Sequence, residues 1–191
     1  MKIGLFFGSF NPIHIGHLAI ANYIKEFSDL DEIWLVVSPH NPLKNKKTLL
    51  NENERLRMVE LALQNEDKIK PSDIEFRLPK PSFTVDTLTY LSEKYPKHDF
   101  ALILGTDNLE SFHKWKNYEE ILKYYKLYIY PRPGYSLGNY KNHSNIMQID
   151  APIMEISSSF IRKSIQEGKN IRYFLPEHVY QYIHEMFFYR N

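Results

Sequence analysis

The chain has 191 residues, which is long enough for one domain with a full hydrophobic core. Its 24 lysine and arginine residues nearly balance its 23 aspartate and glutamate residues, so a formal charge of +1 provides no overall field to attract nucleic acid or a membrane surface. Cysteine is absent, which excludes disulfides and thiolate chemistry. The start, MKIGLFFGSFNP, is unlike a signal peptide, and no apolar run reaches membrane-spanning length. We therefore expect one cytoplasmic domain, residues 1–191, with a local anion site.

The first informative stretch is residues 2–17, KIGLFFGSFNPIHIGH. Its unbroken apolar run from Ile3 to Phe7 predicts a strand buried on both faces of a parallel sheet, with a helix starting near His14. Ligands collect at the carboxyl ends of such strands, and helix N-termini favour phosphate. His14 and His17 share a helix face, which predicts a phosphate pocket. A capping loop with incidental histidines and a metal site are the alternatives, but no cysteine or nearby carboxylate completes a zinc shell.

The next segments complete a strand–helix–strand unit. The helical spacing of apolar residues after His17 predicts a helix, and the apolar run Ile33–Val37 predicts a second buried strand. The loop that follows carries Lys44 at the same functional edge, where a solvated basic patch is the alternative to a phosphate contact. The pattern of residues 51–65 predicts a helix with Arg55 and Arg57 on its polar faces. A role as surface charges explains these two arginines at least as well as contact with a ligand.

A second informative stretch is residues 79–91, PKPSFTVDTLTYL. It is preceded by Ile74–Phe76, whose alternation predicts a short strand. The stretch itself predicts a turn that feeds a helix capped by Ser82 or Thr84, and an ordinary turn or capping box would also explain it. The N-terminus of that helix favours a bound anion.

The second half of the chain repeats the pattern. The mostly apolar run Asp99–Gly105 predicts a buried strand, and Asp107 follows at its carboxyl end. Two roles are open for Asp107, a contact with a ligand and a cap on the next helix. A fifth strand, residues 127–130, ends before Arg132, and residues 146–149 and 152–156 add one strand or two. Ser157–Ser159 then caps a helix that carries Arg162, so hydroxyls, N–H groups and a guanidinium converge on one anion. The alternation predicts a doubly wound α/β fold with a mostly parallel sheet.

Two of these stretches together resemble a known superfamily. His14-Ile15-Gly16-His17 resembles the H-x-G-H signature of the nucleotidylyltransferases, and residues 156–162, ISSSFIR, resemble their second motif. Residues 81–88, PSFTVDTL, further resemble the nicotinate mononucleotide adenylyltransferases within that superfamily.

The resemblance implies a Rossmann-like fold and adenylyl transfer from ATP to nicotinate mononucleotide, a step of NAD biosynthesis, with Mg²⁺ bound to ATP and no covalent intermediate. It implies catalytic roles for His17, His14, Arg162 and Lys44. It implies ATP contacts from Gly8, Ser9, Phe10, His14, His17, Ser158 and Arg162. It also implies pyridine-nucleotide contacts from Thr84, Phe83, Asp107, Trp115 and Arg132, with no metal ligands expected from the protein itself.

Three positions depart from the superfamily's motifs. Phe7 replaces a glycine, Asn11 an aspartate, and Leu43 a histidine. The rival functions are nicotinamide mononucleotide or phosphopantetheine adenylyltransferase, against which the 81–88 turn argues, and a nucleotide-binding regulator without catalysis, against which the intact histidines and Arg162 argue. The sequence has no stripe of basic residues, which argues against nucleic-acid binding. The sequence leaves a homo-oligomer open.

Overall fold

The structure is a computed structural model that describes residues 1–39 and 49–190. Its described part contains a six-stranded sheet with every pairing parallel, in the order β3-β2-β1-β4-β5-β6. The strands are β1 (Lys2–Gly8), β2 (Glu32–Val37), β3 (Ile69–Ser72), β4 (Asp99–Gly105), β5 (Lys126–Tyr130) and β6 (Ile146–Gln148). The predicted doubly wound α/β fold is confirmed, with every described strand parallel.

Helices cover both faces of this sheet. They are α1 (Ile15–Phe27), α2 (Glu52–Ala62), α3 (Thr84–Lys94), α4 (Thr106–Glu110), α5 (Tyr118–Tyr124), α6 (Ser158–Gln166) and α7 (Glu177–Glu185). Two apolar clusters fill the layers between sheet and helices. Ile33 and Ile103 belong to one cluster, and Ile3 and Leu102 belong to the other. Consecutive strand residues therefore face different cores, which is why these strands are apolar without alternation.

The strand order reverses between β1 and β4. β2 lies on one side of β1, with Phe6 opposite Leu35, and β4 lies on the other, with Phe6 opposite Ile103. The chain thus winds outward in one direction from β1 and in the opposite direction from β4, which opens a crevice at their carboxyl ends. Gly8 and Gly105 terminate these two strands.

Several local predictions were wrong. Residues 74–77 form a short 3₁₀ helix, and the third strand is the preceding Ile69–Ser72, an edge strand that tolerates Pro71. The neighbours Ile74 and Glu75 are both buried, so the apolar–polar–apolar pattern of residues 74–76 does not correspond to the two faces of a strand. Residues 152–156 form no strand. The N-cap of α3 is Phe83, which makes no side-chain cap hydrogen bond, so neither Ser82 nor Thr84 caps the helix.

Arg55 was also misplaced by the sequence pattern. Its side chain is fully buried rather than on a polar face, whereas Arg57 is exposed as predicted and pairs with Glu60 at 3.2 Å. Within residues 1–39 and 49–190, no helix combines the length and apolar character needed to cross a bilayer.

Candidate active site

The carboxyl ends of β1, β2, β4 and β5 surround two adjoining cavities. One cavity of about 530 Å³ lies beside α1 and α6, and the other, of about 510 Å³, lies beside α3 and α4. The two cavities share the side chains of Ser9, His17, Tyr130, Arg132 and Ser158. Two ligands bound side by side would therefore meet at His17 and Ser9. A larger, open cavity of about 1140 Å³ lies between α5 and residues 134–145, and none of the predicted site residues lines it.

The first cavity gathers five of the seven residues predicted to contact ATP, from the two ends of the chain, whereas Gly8 and Phe10 line the second cavity. His14 and His17 come from the start of α1, Ser158 and Arg162 from the first two turns of α6, and Ser9 from the loop after β1. These residues are up to 153 positions apart in sequence but share one wall of the fold. Their hydroxyl, imidazole and guanidinium groups are suited to phosphate oxygens. We name residues 8–14 the phosphate loop.

The two histidines stack on each other. Their ring centroids are 3.7 Å apart with an interplanar angle of 26°, and the backbone N–H of His14 donates to Nδ1 of His17 at 3.3 Å. Because Nδ1 of His17 accepts a hydrogen bond, the proton of a neutral His17 ring resides on Nε2. His17 can thus act as a hydrogen-bond donor through Nε2.

His14 is almost completely buried, with 4% of its surface exposed. Burial, assisted by the positive charge of Arg132, lowers the pKa of His14 from 6.5 to about 4. Its Nδ1 has no hydrogen-bond partner within the described residues. His14 is therefore neutral at physiological pH.

Helix α6 is attached directly to the phosphate loop. Ser158 Oγ donates to the carbonyl of Pro12 at 2.9 Å, and Arg162 Nη1 donates to the carbonyl of Asn11 at 2.8 Å. Ser157 caps the helix by accepting from the N–H of Phe160 at 3.2 Å. The second motif therefore both lines the cavity and supports the loop that carries the first.

The second cavity collects the residues predicted for the pyridine nucleotide. Phe83, Thr84, Asp107 and Trp115 line it together with the backbone of the phosphate loop, Gly8, Ser9 and Phe10. Thr84 is the first residue of α3, and its N–H and that of the next residue have no acceptor within the described chain. A helix N-terminus with unpaired donors favours a bound carboxylate.

Arg132 lies between the two cavities and lines both. Its backbone N–H donates to Thr106 Oγ1 at 2.8 Å, its Nη1 donates to the carbonyl of Met154 at 3.0 Å, and its Nε lies 3.8 Å from Asp107 Oδ1. The resemblance implies that Arg132 contacts the pyridine nucleotide, and Arg132 also lines the cavity on the ATP side. Its position also brings positive charge to the histidine pair, as the lowered pKa of His14 reflects.

Gly8 has a structural role in addition to the ATP contact that the resemblance implies. In the structure, a Cβ at Gly8 would lie 2.7 Å from the ring of Phe10, which is buried beneath it. Phe10 itself has φ of 43°, an uncommon backbone conformation for a non-glycine residue. Gly8 therefore makes room for the turn of the phosphate loop.

Sequence reasoning missed two buried charged residues at this site. Glu75 lines the second cavity and accepts a hydrogen bond from Thr87 Oγ1 at 3.0 Å, and burial raises its pKa. Arg55 lies behind the phosphate loop. Both occur in locally polar segments, and no pattern in those segments signals burial. Lys44, predicted to contact phosphate, lies outside the described residues, as does Leu43.

Among residues 1–39 and 49–190, no group of three or more histidine, aspartate or glutamate side chains is arranged to hold a metal ion. Asp107 is the acidic residue predicted for the site, and it is already close to Arg132. The described residues therefore contain no preformed cluster of carboxylates and imidazoles for a magnesium ion.

The chain is similar to several known proteins. The Cytidylyltransferase-like family matches residues 5–164. The chain is 59% identical over 193 residues to a probable nicotinate-nucleotide adenylyltransferase of Flavobacterium johnsoniae, covering 100% of both chains. It is 57% identical over 191 residues to the protein of the same description in Christiangramia forsetii, covering 99% of this chain and 98% of the relative.

A solved structure shares the fold. The nicotinic acid mononucleotide adenylyltransferase of Plasmodium falciparum, complexed with NaAD, superposes with a TM-score of 0.83 at 22% identity, covering 98% of this chain and 97% of that chain. Both of these relatives are matched over nearly their whole length. The chain therefore belongs to the Cytidylyltransferase-like family and, within it, to the nicotinate-nucleotide adenylyltransferases.

Proposed function

We propose that this chain transfers the adenylyl group of ATP to nicotinate mononucleotide, giving deamido-NAD and pyrophosphate. The observation that carries the proposal is the pair of adjoining cavities that meet at His17 and Ser9. One cavity has the cationic and hydroxyl groups that suit a triphosphate, and the other has a helix N-terminus that suits a carboxylate. The reaction requires these two ligands to be side by side.

The chemistry needs no protein nucleophile. A phosphate oxygen of nicotinate mononucleotide attacks the α-phosphorus of ATP, forming a new P–O bond as the bond to the bridging oxygen of the β-phosphate breaks. Pyrophosphate leaves with that electron pair. Catalysis then consists of positioning the reactants and stabilising charge on the phosphoryl oxygens.

The residues of the first cavity supply that stabilisation in the proposal. His17 donates from Nε2 to the α-phosphate, while His14 and Arg162 contact phosphate oxygens. Ser9 and Ser158 complete the cradle, and the backbone of Gly8 and Phe10 contacts the phosphates from the adjoining second cavity. Lys44 retains its sequence-based role as a phosphate contact. ATP enters as its magnesium complex, with the ion held mainly by phosphate oxygens.

The second cavity supplies acceptor selection. The free N–H groups at the start of α3, at Thr84 and the next residue, would receive the carboxylate of the pyridine ring, and the aromatic side chains of Phe83 and Trp115 would flank that ring. Asp107 and Arg132 would contact the ribose and phosphate. Cytoplasmic location stays a sequence-based expectation alongside this proposal, and the sequence leaves a homo-oligomer open.

The test is product formation from MgATP and nicotinate mononucleotide by the purified protein. Deamido-NAD and pyrophosphate should appear in equal amounts. The variant His17→Ala should fold normally but lower turnover by roughly 100-fold or more, since it removes a transition-state contact. The exposed His178 on α7 provides a matched control, and His178→Ala should leave turnover unchanged.

One result would contradict the proposed reaction, and another would contradict the proposed role of His17. Binding of MgATP without any pyrophosphate release would favour the alternative of a nucleotide-binding regulator. Undiminished turnover in His17→Ala would remove His17 from the mechanism while leaving the reaction itself in place.

A further inference from the structure

Arg55 is the largest fully buried side chain in the described part of the chain. It belongs to α2, and its guanidinium makes four hydrogen bonds, all to backbone carbonyl oxygens. Nε donates to Leu50 at 3.0 Å, Nη1 to Ser9 at 2.6 Å and to Ser38 at 2.8 Å, and Nη2 to Pro39 at 2.9 Å. No carboxylate of the described residues lies within ion-pair distance of it.

A buried cation without a counterion is costly unless its donors are satisfied. The carbonyls that satisfy Arg55 come from three separate segments: the phosphate loop, the carboxyl end of β2, and the residue that precedes the N-cap of α2. The planar fork of a guanidinium can serve several acceptors in fixed directions, which a lysine ammonium on its flexible stem cannot do. Arg55 therefore sets the relative positions of three backbone segments.

The contact with Ser9 has a consequence for the next peptide N–H. In a trans peptide the C=O and N–H bonds point in opposite directions, so a Ser9 carbonyl held by Arg55 directs the N–H of Phe10 away from Arg55. Gly8, Ser9 and Phe10 all line the second cavity, and Arg55 does not. The N–H of Phe10 has no acceptor among the described residues. The second cavity, which Phe10 lines, therefore adjoins a backbone donor that has no acceptor within the described part of the chain.

The other end of the same turn is held independently. Arg162 binds the carbonyl of Asn11 at 2.8 Å, and the side-chain oxygen of Asn11 accepts from the N–H of Leu50 at 3.3 Å and from the hydroxyl of Tyr189 at 2.8 Å. The carbonyl of Leu50 in turn accepts from Arg55. Residues 9–11 are thus fixed from both sides before any ligand binds, which is the condition for an oriented donor to stabilise a transition state.

We propose that Arg55 is a positioning residue for adenylyl transfer, which holds the Ser9–Phe10 peptide so that the N–H of Phe10 donates to the phosphoryl group in transit. The inference rests on the proposed function. It assigns to Arg55 a role that acts through the backbone and not through contact with the substrate.

The test compares Arg55→Lys and Arg55→Met with wild type. Lysine keeps the charge but loses the fork, and methionine removes both. Both variants should lower kcat by tenfold or more while the KM values for ATP and nicotinate mononucleotide change less than threefold, because the Phe10 donor acts on the transition state more than on the bound substrates. Arg57→Lys, an exposed position two residues along the same helix, is the matched control and should keep wild-type values.

A purely structural role would lower the melting temperature and leave kcat per folded molecule within twofold of wild type, and that result would overturn the proposal. If the variants fail to fold, the wild-type protein still tests it. The backbone amide resonance of Phe10 in protein labelled with ¹⁵N-phenylalanine should shift when MgATP and then deamido-NAD are added. An unmoved Phe10 amide in the saturated complex would overturn the positioning role.

The two proposals fail separately. If wild type forms no deamido-NAD, the proposed function fails, and the response of the Phe10 amide to MgATP still decides whether the loop donor faces the nucleotide.

Discussion

His14, the last residue of the phosphate loop, and Arg55, which donates to the carbonyl of Ser9 in that loop, are both buried, yet the sequence pattern indicates only His14 as a site residue. His14 is part of a short motif in which its spacing from His17 signals the pocket. Arg55 lies in the polar run ENERLRM, and its four partners are carbonyls of residues distant in sequence or outside the helix. A helix pattern reports which residue types recur on a face, and it contains no information about carbonyl groups that other segments leave unpaired.

The burial of His14 predicts a specific dependence of stability on pH. Its pKa is about 4 in the folded protein and 6.5 in the unfolded chain, so acidification below pH 6.5 protonates the unfolded chain first. Stability that is fully present above pH 6.5 should be lost as the pH falls to 4, by about 3 kcal/mol from this residue alone. We expect His14→Gln to abolish that component of the pH dependence.

Urea unfolding at pH 7, 6, 5 and 4 measures this difference. Carboxylates that titrate in the same range affect both proteins equally, so the gap between wild type and His14→Gln isolates the imidazole. His178→Gln, at an exposed position, should follow the wild-type curve. Parallel curves for wild type and His14→Gln would show that His14 is not buried in its neutral form.

At the scale of a secondary-structure element, α3 shows what local sequence can and cannot specify. The spacing of Leu88 and Leu91 predicts the helix and its buried face, and both side chains are fully buried. The predicted cap was wrong, because the residue at the N-cap is Phe83, which has an extended backbone and makes no side-chain hydrogen bond to the helix. A hydroxyl at Ser82 or Thr84 suggested a cap, whereas the first N–H groups of α3 remain open to the second cavity.

At the open N-terminus of α3, the backbone N–H of Thr84 can be removed by a single substitution. Proline is well tolerated at the first position of a helix, and the extended backbone of Phe83, at φ −114° and ψ 144°, suits a residue that precedes proline. Thr84→Pro should therefore preserve the helix but delete one N–H. If that N–H binds the substrate carboxylate, kcat/KM for nicotinate mononucleotide should fall by roughly 10- to 100-fold, the range for a hydrogen bond to a charged group.

Thr84→Val is the matched control, since it removes the hydroxyl and keeps the N–H. It should retain most of the wild-type kcat/KM. Equal losses in the two variants would assign recognition to the side chain of Thr84, and no loss in Thr84→Pro would place the carboxylate elsewhere.

At the scale of the whole molecule, the alternation of strands and helices predicts the doubly wound fold, and the carboxyl edge of the sheet predicts the location of the site. The adjacency of the two cavities could not be predicted, because it depends on β1 and β4 being neighbours and on α6 returning to the loop after β1. Contacts from Leu50 and Tyr189 explain why Asn11 is compatible with the turn. Its side-chain oxygen accepts two hydrogen bonds from uncharged donors, which an amide oxygen serves without burying a negative charge.

The central claim is that the cavity beside α3 selects a pyridine nucleotide by its carboxylate and presents it to ATP at His17. The most direct measurement is kcat/KM for nicotinate mononucleotide and for nicotinamide mononucleotide, determined side by side with saturating MgATP by pyrophosphate release. Our account predicts a preference for the nicotinate compound of at least tenfold, since the carboxamide loses a charge-assisted hydrogen bond at the helix N-terminus. Equal values for the two acceptors would contradict it.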